Sequence, residues 1–220
     1  MILIQKSSDV FMNRTKISNS KGYSVYVRAT KGFSFIESEL SKAGILGMYI
    51  GHDNHQPSTG LRVLRSYFHD NSSNALAVQG VTREIQNIVQ GNVFERNHLY
   101  GRWPVAPRFG TGMTGGGQVY LANVDNMEFT KNIIKNGRCL NCIDKSNKEI
   151  KNVTGLELSG VYGKEIRVRN LLITENEISD NDAYGIAQNE NSTLDASTVI
   201  HNNDVYDNGK DFKLLDIKAS

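Results

Sequence analysis

Long apolar runs are missing from this 220-residue chain. No segment approaches the ~18 continuous apolar residues that cross a membrane as a helix, so the sequence predicts no membrane span. The opening MILIQKSSDV lacks the basic start, apolar run and small-residue cleavage site of a secretory signal peptide. Charge of one sign is missing too: 25 basic and 23 acidic residues leave a net charge of +2, which gives no argument for a nucleic-acid partner. Cysteine is nearly absent. Cys139 and Cys142 form a single C-x-x-C, without the further ligands of a zinc site or the helix start of a redox motif, and read as a loop disulfide or two inert thiols. Only three prolines occur, against twenty glycines and many asparagines, a balance that fits a turn-rich β protein.

What the chain has in abundance is a repeat. In Leu171 to Ile186, LLITENEISDNDAYGI, Asn176 stands between the apolar Ile173 and Ile178. The same pattern recurs with Thr15, Ser38, Ser66, Asn92, Asn132 and Asn203 in place of Asn176, at successive spacings of 23, 28, 26, 40, 44 and 27 residues. Each position has an apolar residue three before it, another two after it, and a small or turn-forming residue five after it. The unit is therefore a short strand, a tight turn holding a polar side chain, a second short strand and a second turn. Pairs such as Val25 and Val27, Met48 and Ile50, and Leu76 and Val78 supply a third strand of period two.

A period in the twenties built of strands indicates a solenoid in which each repeat is one coil. The expected fold is all-β, a parallel β-helix of about seven coils with three short strands each. Stacked Asn, Ser and Thr side chains can hydrogen-bond up the axis, which answers the cost of turning polar groups inward at a bend. This pattern resembles the right-handed parallel β-helix superfamily of pectate lyases, alginate-modifying lyases and epimerases, and phage tailspikes. The resemblance covers nearly the whole chain and speaks for fold, because the repeats encode the scaffold while function sits on it. It also implies an extracellular, periplasmic or virion-surface location.

Residues 1–220 read as one β-helix domain with an axis of roughly 30 Å, six steps of ~4.8 Å. No terminal segment has the pattern of a cap, so open strand edges are expected at both ends. That points to a piece of a longer protein, or to a homo-oligomer that covers the edges.

Two coils depart from the repeat. After coil four, about seventeen residues are inserted before the inward pair Val119 and Leu121, and this stretch holds His98, Tyr100, Arg102, Trp103, Arg108 and the cluster Gly115 to Gly117. No Lys-Ser or Lys-Thr follows those glycines, so they are read as letting the loop turn back into the sheet, not as a phosphate loop. A second insertion, Arg138 to Val153, belongs to coil five if Leu156 and Leu158 are its third strand; a strand at Cys142 is the alternative. In the first register the outer face of the third sheet carries Tyr26, Tyr49, Ala77, Tyr120, Glu157 and Ala187 from coil to coil. The polar loop after coil two adds His52 and Asp53, candidates for substrate contact or proton transfer.

Aromatic platforms with a few charged groups suit an extended polysaccharide. Tyr26, Tyr49, Trp103, Tyr120, His52 and Asp53 are the candidate substrate-binding residues; His98, Tyr100, Arg102, Arg108 and Glu157 are the candidate catalytic ones. A lyase or C5-epimerase acting on a uronate needs a cation for the sugar carboxylate and a base for the C5 proton, which this set can provide. A glycoside hydrolase needs two carboxyl groups across the bond, and only Glu157 is placed with assurance. The remaining class is a glycan-binding or structural module of tailspike or adhesin type. No metal ligands are assigned; calcium is left open as a cofactor.

Overall fold

The computed structural model describes residues 1–53, 56–98, 116–139, 153–159, 167–189 and 192–214. It is an all-β right-handed β-helix in which every registered strand pair is parallel. One sheet holds Lys16–Ser18, Glu39–Ser41, Tyr67–His69, Val93–Glu95, Ile133–Lys135, Glu177–Ser179 and Asp204–Tyr206, one strand per coil. A second begins with Ser8–Asn13 and Lys31–Ile36 and ends with Arg167–Thr174 and Val199–His201. The third contains Val25–Arg28, Met48–Gly51, Leu76–Val81, Val153–Ser159 and Tyr184–Gln188. In coil four the chain does not break between the third sheet and the next: Gly116–Thr130 serves both. Two strands that the repeat does not predict, Ile2–Gln5 and Lys210–Lys213, extend the third sheet at its two ends.

The polar ladder forms as the spacing predicts. Each backbone N–H from Thr15 to Asn176 donates to the side-chain oxygen of the next rung, through Ser38, Ser66, Asn92, Asn132, Asn176 and Asn203, at 2.9–3.1 Å. The residue before every rung is left-handed, with φ of 47 to 67°: Arg14, Glu37, Arg65, Gly91, Lys131, Glu175 and Asn202. Four residues after each rung the chain turns left-handed again, at Asn19, Lys42, Asp70, Arg96, Asn136, Asp180 and Asp207. These bends aim the intervening apolar side chains inward. Phe35, Phe68, Phe94 and Phe129 stack along the axis with neighbouring centroids 5.0–6.5 Å apart, all without solvent exposure.

A second ladder runs one corner further on, and it contains a substitution of parts. Asn71, Asn97, Asn181 and Asn208 are its rungs, but the fifth coil has Gly137 where an Asn belongs. The side chain of Gln118 fills the vacancy. Its Oε1 accepts from the Asn97 backbone N–H and from Asn97 Nδ2, and its Nε2 donates to Asn181 Oδ1 at 2.8 Å and to the Lys135 carbonyl. A Cβ on Gly137 would stand 2.9 Å from Gln118 Nε2, so the bare glycine and the long amide are complementary.

Candidate functional site

The outer row of the third sheet is continuous in register: Leu3, Tyr26, Tyr49, Ala77, Tyr120, Glu157, Ala187 and Lys213. The register that places the third strand of coil five at Leu156 and Leu158 is the one observed. Outward direction does not mean exposure here. Ala77 is 4% exposed and Ala187 7%, whereas Tyr120 and Glu157 between them keep part of their surface in solvent.

At the N-terminal end of the row the aromatics pack on one another. Tyr26 and Tyr49 are stacked at 4.8 Å with planes 14° apart, and Tyr23 meets both rings edge-on, at 4.9 and 6.3 Å. Burial, with Tyr26 nearby, pushes the Tyr23 phenol up to about 12, and burial raises Tyr49 further. The Tyr49 hydroxyl donates to Gln79 Oε1 at 3.0 Å, and the Arg28 guanidinium lies 5.6 Å from the Tyr26 centroid. Each stacked ring therefore gives one face to its neighbour.

Asp53 is buried and fully engaged. Gln5 Nε2 donates to it at 2.6 Å, Arg28 pairs with it at 2.5 Å and Lys6 at 3.6 Å. The Gln5 hydrogen bond, followed by the charges of Arg28 and Lys6, holds its carboxyl below the usual carboxylate range. It clamps the first strand to the loop after coil two. His52 beside it is exposed and lies against Gly80.

The chemically distinctive part of the face lies around Gly116 and Gly117. These glycines already belong to the strand, where the sequence reading has them turning the loop back toward it. The Gly117 N–H donates to Glu157 Oε2 at 3.0 Å, and Asn74 Nδ2 donates to the Gly117 carbonyl at 2.6 Å. Burial pushes the Glu157 carboxyl up to about 7, against the opposing pull of the Asn189 side chain, the Gly117 N–H and the Lys213 charge. On the other side of the glycine pair, the ring of His98 occupies the space that a Gly116 Cβ would need. His98 is 6% exposed, left-handed at φ 69°, and its backbone N–H reaches the carbonyls of Asn71 and Ser73. Its Nδ1 has no hydrogen-bond partner, and burial pulls the imidazole down to about 4. Burial thus favours the neutral imidazole over the imidazolium.

Of the sequence-chosen residues, Tyr26 and Tyr49 sit together, Tyr120 and Glu157 are direct register partners, and His98 joins Glu157 through Gly116 and Gly117. His52 and Asp53 lie apart, three coils from Glu157. Tyr100, Arg102, Trp103 and Arg108 lie outside the described residues. Cys139 is disulfide-bonded and buried, as one of the two sequence readings has it; Cys142 lies outside the described residues. Among the described residues no group of three or more His, Cys, Asp or Glu side chains could hold a metal ion.

Sequence reasoning missed Asn74 and Asn189. It also passed over a charged network on the outside of the sheet that holds Tyr67–His69. There His69 lies 2.6 Å from Asp70 and 3.2 Å from Glu39, Tyr67 donates to Glu95 at 2.6 Å, and Arg96 pairs with Asp70 and Glu95. The signal was available: Glu39 and Tyr67 stand one residue after their rungs, His69 and Glu95 three after theirs. With every charge in it paired, this network braces coils two to four.

Three parallel sheets wound round one axis, with the half-buried Glu157 on the outer face of the third, make a right-handed β-helix. Residues 1–113 match the family model described as right handed beta helix region, more than half of the chain, and the protein belongs to that family. No curated protein matches the chain.

Proposed function

We propose that the protein acts on an extended, uronate-containing polysaccharide, by β-elimination or C5-epimerisation, with Glu157 as the group that moves the proton. The observation that carries this reading is the environment of Glu157: an outward carboxyl on the third sheet, desolvated until its protonated and ionised forms coexist near neutral pH. A general base needs that balance. As the carboxylate, Glu157 takes the proton at C5, which is acidified by the adjacent sugar carboxylate. The resulting carbanion either expels the C4 oxygen, leaving an unsaturated product, or is reprotonated from the opposite face. The Gly117 N–H fixes one carboxyl oxygen while the other reacts. Arg102 and Arg108 are the residues proposed to neutralise the sugar carboxylate.

The hydrolase reading is weaker. It needs a second carboxyl group roughly 5–9.5 Å from the first. Asp53 stands three coils away, about 14 Å at ~4.8 Å per coil, and is tied to Arg28 and Gln5. A second reading, a glycan-binding module without turnover, is favoured by the Tyr23, Tyr26 and Tyr49 cluster, which is pre-organised like a binding surface.

The test is ultraviolet absorbance of the unsaturated product during incubation with pectate, alginate and bacterial capsular polysaccharides, with and without calcium, alongside proton exchange at C5. Signal lost in Glu157→Gln supports the enzyme. Neither absorbance nor exchange on any substrate, with retained affinity for one glycan, moves the assignment to a binding module.

A further inference from the structure

We propose that Asn74 is a positioning residue of this site: by holding the Gly117 carbonyl it keeps the Gly117 N–H on Glu157 Oε2 and so fixes the direction of the carboxyl. The inference rests on the polysaccharide reading above and adds to it a residue that acts on Glu157 through the backbone.

The strand is bent where it meets Glu157. In a regular strand the N–H and C=O of one residue face the same neighbouring strand, and successive carbonyls alternate sides. Gly117 departs from both rules. Its N–H goes to Glu157 in coil five, at 3.0 Å, while its carbonyl accepts from Asn74 Nδ2 in coil three, at 2.6 Å. The next carbonyl, that of Gln118, also faces coil three, where the Ala75 N–H donates to it at 2.8 Å. A carbonyl turned out of the ladder needs a partner from outside it, and Asn74 supplies one. No side chain fits at this bend: a Cβ on Gly117 would run into the Val119 carbonyl oxygen and lie 2.9 Å from Glu157 Cβ.

Asn74 is itself held in the orientation that does this. Ser73 Oγ donates to Asn74 Oδ1 at 3.2 Å, which turns the amide nitrogen toward Gly117, and the Asn74 carbonyl accepts from the Gly47 N–H at 2.9 Å. A carboxylate base acts only while it is aimed at the proton it takes, and a bond from an N–H also favours its ionised form. Losing the anchor therefore loosens Glu157 and makes it harder to ionise. The Asn189 side chain bonds to the same carboxyl from coil six, so removal of Asn74 weakens the hold without abolishing it.

The experiment compares wild type with Asn74→Leu, which keeps most of the volume but loses the donor, and with Asn74→Ala. NMR follows the Glu157 carboxyl carbon and the Gly117 amide as the pH is raised, and kcat and KM are measured on whichever of pectate, alginate or capsular oligosaccharides the wild type uses. In wild type the Gly117 amide should titrate in step with Glu157. In both folded variants that coupling should be lost, the Glu157 midpoint should rise by about one pH unit, and kcat should fall about 10-fold with KM changed less than about 2-fold. A Glu157 midpoint and a Gly117 amide that stay as in wild type overturn the inference and leave Asn74 only the partner of a bent strand. So does an undiminished kcat, or failure of both variants to fold. The NMR arms need no substrate, so they can fail while the polysaccharide reading stands. If wild type turns over no oligosaccharide and Glu157→Gln is indistinguishable from it, that reading falls and the inference with it.

Discussion

Gln118 and Gly137 are a pair only because of register: one residue lacks a side chain where the other delivers an amide. Truncating Gln118 to Ala strands the buried Asn97 backbone N–H and leaves Asn97 Nδ2 only the Phe68 carbonyl and Asn181 Oδ1 only the Gly137 N–H, and should cost about 2 kcal/mol in urea unfolding. Gly137→Asn alone should also destabilise, because its Cβ meets Asn181 Oδ1 at 2.5 Å and Gln118 Nε2 at 2.9 Å. The two changes together should cost less than their sum, since the new Asn then takes the rung that Asn71 and Asn97 occupy in their coils. A double-mutant cycle measures this, and strict additivity would falsify the exchange. The seven rungs from Thr15 to Asn203 were legible in the sequence because each coil carries its own rung at a fixed offset. Gln118 was not, because it serves the ladder from the far end of the preceding coil and means something only opposite Gly137. His98 was legible as a candidate, but its burial and the missing partner of its Nδ1 were not, since neither is written in spacing.

Two carboxyl groups, Glu157 on the third sheet and Asp53 in the loop that follows one of its strands, are shifted in opposite senses. Asp53 has its folded value lowered, so its contribution to stability is present above the unfolded value of ~3.9 and is lost as the pH falls through the lower folded value. Asp53→Asn should therefore melt lower at neutral pH and show a flatter acid limb, read by thermal melts between pH 2 and 7, taken as about the span of carboxylate titration. Glu157 has its folded value raised to about 7. Between its unfolded value and 7 the folded state holds the extra proton, so stability should fall with rising pH across that window, by on the order of 3 kcal/mol, and level off above it. Glu157→Gln should abolish that slope. As a base, Glu157 should also give kcat/KM that rises through pH ~7, a limb absent in the variant. The row itself was legible from alternation, and Glu157 came with it once TGLELS was matched to the strand of coil six. That Asp53 clamps the first strand was invisible, because Gln5, Lys6 and Arg28 reach it from other coils.

Across the whole molecule the core is a single column shared by successive coils, and its tightness is uneven. Phe94 is fully buried between Phe68 and Phe129, whereas Ile17 and Val205 are only partly buried. Phe94→Ala should cost ~3–5 kcal/mol, and Val205→Ala about 1 kcal/mol or less. Amide exchange should separate them: Phe94→Ala accelerates exchange in coils three to five, and Val205→Ala only in its own and the adjoining coil. The paired left-handed bends of each coil have a kinetic consequence. Thirteen of the fourteen are non-glycine residues in a conformation that an isolated peptide disfavours by roughly 1–2 kcal/mol each. No such bend is stable before the rung beyond it has something to bond to. A coil therefore closes only on a neighbour already in place, and the protein should fold by templated growth from a slow first nucleus, each finished turn serving as the mould for the next.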